Sequence, residues 1–171
     1  MFFRGRRRTS SDEEKDRLSE VVRAHLLGAD ETTLAIVAAV AGLLASVAYA
    51  DRELRGPEWD QLRRELGRIN GLDSRGVEAI CSVLENDIVH ISTTELPRYT
   101  RVLREQASRE LRIEILGLLL DLAAADGTVS LDEVNLLRHT AGALGLSQRD
   151  YNDAQAPHRD KLSVLQGSEK G

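Results

Sequence analysis

The sequence predicts an all-α fold in a single domain, and three observations predict it. Long stretches are built from Ala, Leu, Glu and Arg, residues that lose little on entering a helix. Aromatic residues make up only 4% of the chain and prolines number three, so aromatic strand formers and the strongest helix breaker are both scarce. Large apolar residues recur every third or fourth position, as one face of a helix requires. At 171 residues and 42% hydrophobic, the chain can bury a core of its own.

Taken in order, residues 1–11 read as a mobile basic arm, because Arg4, Arg6, Arg7 and Arg8 repel one another beside no apolar stripe. Ser11 is the expected N-cap of a helix over about 12–27, with Asp12, Glu13 and Glu14 at the positive end of its dipole. Its apolar face is Leu18, Val21, Val22 and Leu26, and Gly28 ends it. Asp30 caps a helix over about 31–50 that is apolar nearly all round, which places it at the centre of a bundle; Asp51 is expected to end it. Pro57 suits the first turn of a helix over about 57–69, where its missing N–H costs nothing, and Asn70-Gly71 stops it. Asp73 or Ser74 starts the next helix, to about 89, and Ser92-Thr93-Thr94 is expected to break the chain. Pro97 opens a helix to about 106. Ser108 caps a second greasy helix over about 109–126, and a further helix runs from Leu131 to about Leu144, closed by Gly145. A short helix from Gln148 carries Tyr151. The expected division is therefore the arm, a helical domain over 12–155 and a C-terminal tail over 156–171.

The sequence also matches itself when shifted by 75 residues. Gly42-Leu43-Leu44 falls on Gly117-Leu118-Leu119, Asp51 on Asp126, Glu58 on Glu133 and Leu62 on Leu137. The reading is an internal helix–turn–helix repeat, each copy ending a buried helix in an Asp and answering it seven residues later with a Glu. Ser130 and Glu133 have the spacing of a capping box. An Asp at a helix C-terminus meets the negative end of the dipole, so something must offset it. Either the turn's own N–H groups and the next helix absorb these carboxylates, or a cation does; Asp132 and Glu53 stand near enough in sequence to contribute. Neither turn is an EF-hand. Asp126-Gly127, Val129 and Glu133 match the second half of such a loop, but its first half needs acidic residues where Leu122 and Ala124 stand.

A buried helix ending Ala-x-Ala-Asp-Gly, then a small turn and a Glu, twice over, resembles the tellurite-resistance TerB-like family across about residues 33–155. The resemblance implies a bundle of about seven helices and a cytosolic stress-associated role, in a family with no established catalytic activity. It also implies a divalent-cation site, which by position would be Asp51, Glu58, Asp126 and Glu133, taking calcium, magnesium or manganese. The first turn departs from the family pattern, with Arg52 in place of the usual Gly and Arg55-Gly56-Pro57 in place of a more acidic run.

Other chemistries find no support. The four histidines are scattered, and His139 lies six residues past Glu133, off its helix face. Cys81 sits in an apolar helix as an inert thiol, and a single cysteine fits a reducing compartment. No nucleophile–base set, phosphate loop or dinucleotide fingerprint is present, so the reading is non-enzymatic. A net charge of −5 disfavours nucleic acid, while the arginine arm could touch an anionic membrane face or a protein partner. The start of the chain lacks the apolar segment of a secretory signal, and the apolar run 34–50 has helical spacing, which makes a buried helix and a cytoplasmic protein the expectation.

Overall fold

The computed structural model describes residues 10–53 and 56–161, with side chains over 17–53 and 56–158. The arm's arginines, the Ser11 side chain, Arg55 and the end of the tail lie outside the described residues. What is described is all-α: α1 (Ser10–His25), α2 (Glu31–Ala48), α3 (Gly56–Gly67), α4 (Ser74–His90), α5 (Leu96–Gln106), α6 (Arg109–Ala123), α7 (Leu131–Ala143) and α8 (Gln148–Gln155). A π-helical turn, Ile91–Glu95, joins α4 to α5 without interruption, so the chain forms about seven rods.

The starts fall where short polar side chains can take up orphan N–H groups. Thr33 N–H donates to Asp30 at 2.7 Å, Gly76 N–H to Asp73 at 2.8 Å and Leu111 N–H to Ser108 at 3.2 Å. Ser130 and Glu133 form the expected reciprocal box, as do Ser147 and Asp150. Gly28, Gly71 and Gly145 take left-handed backbone angles and close the helices before them.

Helix α2 is the axis. From Val37 to Ala48 only Val40 is not fully buried, and α2 packs against α1, α3, α4, α5, α6 and α7. By length and composition it could cross a membrane, but 67% of it is buried inside the molecule. Its closest approach is to α5: a Cβ on Gly42 would stand 2.3 Å from the Tyr99 ring. Helix α6 is the second buried rod, in contact with α2, α3, α7 and α8, and it contributes Ile115, Leu116, Leu119, Leu120 and Leu122 to the core. Each such side chain adds about 1.5–3 kcal/mol on burial.

Two expectations need correction. Helices α2 and α6 close at Ala48 and Ala123, before Asp51 and Asp126, so both aspartates sit in the turns rather than at helix ends. Ser92-Thr93-Thr94 does not break the chain. The Ser92 hydroxyl donates to the Ile88 carbonyl at 2.7 Å and that of Thr93 to the Val89 carbonyl at 2.5 Å, holding the wide turn that leads to Pro97 in α5. Past Gln155, Ala156–Lys161 form a 3₁₀ turn.

Candidate functional site

The two acidic turns are built alike. After α2, Tyr49 N–H donates to Ala45, Ala50 N–H to Val47 and Arg52 N–H to Tyr49; after α6, Ala124 N–H donates to Leu120, Ala125 N–H to Leu122 and Gly127 N–H to Ala124. In each turn the Asp accepts the N–H two residues on, Glu53 to Asp51 at 3.1 Å and Thr128 to Asp126 at 3.0 Å. This backbone needs a left-handed residue after the Asp. Gly127 supplies it at φ 90° without strain, whereas Arg52 is held there at φ 63°.

From these turns α3 and α7 carry their glutamates inward. Glu58 and Glu133 are 1% and 2% exposed, a rare state for a carboxylate. Glu133 accepts the Ser130 N–H at 2.7 Å through one oxygen. The two carboxyls, brought by different helices, are in hydrogen-bond contact, and Asp126 and Asp51 are close enough to add their repulsion. Two carboxyls can share a hydrogen bond only if one holds a proton. Burial first, then the contact with Glu133 and the charges of Glu133, Asp126 and Asp51, push Glu58 up to about 9, so the pair holds a proton at neutral pH. Glu133 is raised as well, chiefly by burial, against the opposing hydrogen bonds from Ser130.

Of the four residues singled out by spacing, the structure therefore joins Glu58 and Glu133 directly and leaves Asp51 and Asp126 within electrostatic range, each bonded to its own turn. Among the described residues, no three His, Cys, Asp or Glu side chains stand together as a ready-made metal site. The donor chemistry nonetheless fits a hard cation: Glu58 Oε2 is buried with no hydrogen-bond donor, and every candidate ligand is a carboxylate. Asp132 is exposed, and lines an open cavity of about 380 Å³ with Arg52, Tyr49 and Ser92 beside the first turn. Trp59, next to Glu58, is half-buried with its indole N–H unbonded, and so is placed to report on the pair.

Other expected groups prove structural or remain apart. Cys81 is 1% exposed and burial pushes its thiol up to about 11, which makes it a poor nucleophile. The periodicity gave no sign of Glu95, a fully buried carboxylate 2.7 Å from Arg98 and 3.4 Å from His90; the only signal was Arg98 three residues on. A family model described as tellurite resistance protein TerB matches residues 33–156. No curated protein and no solved structure matches the chain.

Proposed function

The chain belongs to the TerB family, and from that premise and the buried acid pair we propose a non-enzymatic module that binds a hard divalent cation weakly between its two acidic turns. The observation that carries this reading is Glu58. A carboxyl buried against a second carboxyl, with one oxygen lacking any donor, opposes folding unless a proton or a cation neutralises it. Glu58 and Glu133 would be the inner ligands, with Asp51 and Asp126 adding charge and water completing the shell. A bound calcium, magnesium or manganese ion would supply positive charge beside the Glu58–Glu133 pair, within electrostatic range of Asp51 and Asp126. The affinity would be weak because Asp51, Asp126 and Glu133 already accept backbone N–H groups. A cytoplasmic, stress-associated role with a protein partner belongs to the same proposal.

Those same N–H bonds favour a second reading, in which the acidic residues serve only as caps of an adaptor protein. Calorimetric titration with calcium, magnesium and manganese, paired with Trp59 fluorescence, separates the two. Cation binding gives saturable heat in the wild type that disappears in Asp126→Ala/Glu133→Ala. A wild type giving no heat at millimolar ion leaves the capping role alone.

A further inference from the structure

Ten of the fourteen arginines among the described side chains are engaged. Arg17, Arg23, Arg63, Arg68, Arg98, Arg109 and Arg149 hold carboxylates. Arg64 bonds the Gln61 amide, Arg112 the Leu144 carbonyl, and Arg138 lies over the Tyr151 ring. Four have no hydrogen bond, ion pair or ring partner among the described residues: Arg52, Arg75, Arg101 and Arg104. Two of these four stand three residues apart on α5 and line one groove.

That groove runs between α5 and α7 and encloses about 240 Å³. Leu96, Pro97 and Ala143 give it apolar lining, and Arg101, Arg104 and the exposed His139 give it polar, cationic lining. Arg104 is positioned rather than free. Its stem passes over the end of α7, where a Cβ on Gly145 would meet it at 3.5 Å. Glu105, the only carboxylate on α5, pairs with neither arginine. On a chain of net charge −5, this is a local concentration of unneutralised positive charge.

We propose that the α5–α7 groove docks an acidic, part-apolar segment of a partner polypeptide. The volume falls below the roughly 300–1,000 Å³ of small-molecule pockets. The span from Leu96 to Arg104 is about 12 Å, two helical turns, which suits a row of side chains from an amphipathic helix laid into the groove. Apolar residues of that helix would cover Leu96, Pro97 and Ala143. Its Asp or Glu side chains would meet the guanidinium forks of Arg101 and Arg104, which match carboxylates bidentately. This surface is independent of the acidic turns.

The test is fluorescence anisotropy of a labelled peptide with Leu and Glu at helical spacing, added to the full chain. Saturable binding that weakens at least about tenfold in Arg101→Glu/Arg104→Glu, and falls as salt rises, is expected. Arg75→Glu, an exposed charge reversal elsewhere, is expected to leave it unchanged, as is circular dichroism of every variant. The counterpart peptide with Lys for Glu is expected not to bind. The proposal is overturned if the acidic peptide fails to bind, or binds the double variant equally. It is also overturned if pyrophosphate or phosphatidylglycerol vesicles engage Arg101 and Arg104 while the peptide does not.

Discussion

A glutamate 1% exposed against another carboxyl makes the fold sensitive to pH in a fixed direction. Burial and the neighbouring carboxylates raise Glu58 from an ordinary 4.5 to about 9 on folding. The folded state therefore keeps a proton that the unfolded chain gives up. Its contribution is fullest below the unfolded value and is lost as pH rises through the window up to about 9. Glu58→Gln keeps the shape and has no proton to lose. In chelator at about pH 8 it should be more stable than wild type by on the order of 1–3 kcal/mol in urea unfolding, with a flatter pH profile. The two residues that follow the turn aspartates behave oppositely on substitution. Arg52→Gly relieves a strained backbone and should raise stability by about 0.5–1 kcal/mol, while Gly127→Ala introduces that strain and should lower it by about 1 kcal/mol. Thermal melts of the two variants check the sign.

At the scale of elements, Gly42 and Gly117 hold matching places on the two buried helices, yet their surroundings differ. The Gly42 Cβ position is filled by the Tyr99 ring of α5, whereas nothing lies within 4 Å of that of Gly117. Gly42→Ala should destabilise by about 3 kcal/mol, because ring and backbone must both move. Gly117→Ala should stabilise by up to about 1 kcal/mol through helix propensity alone. Melting midpoints on either side of wild type are the expected outcome. The caps at Asp30, Asp73, Ser108 and Ser130 were legible because capping is a local transaction between a side chain and the next three residues. The π-helical turn was not. Ser92, Thr93 and a following proline read as a break, and only the hydroxyl bonds back to Ile88 and Val89 show how the helix continues.

For the whole molecule, the all-α class followed from periodicity and from the scarcity of aromatics and prolines. The candidate site was legible as a spacing, Asp to Glu over seven residues, because each turn is local. What spacing could not give is that α3 and α7 bring Glu58 and Glu133 into contact, since that depends on how helices distant in sequence cross. The α5–α7 groove was hidden for a related reason: whether an arginine is paired depends on neighbours from other helices. The central claim is that this carboxyl contact is poised for a cation. Its most direct measurement is the unfolding free energy of the wild type from acid to alkaline pH, in chelator and in saturating calcium or manganese. In chelator, stability should fall as pH rises towards about 9, and the ion should restore it at the alkaline end, by about 2.7 kcal/mol at a hundred times its dissociation constant. Coincident profiles with and without ion, in a protein whose stability does not fall over that window, would contradict it.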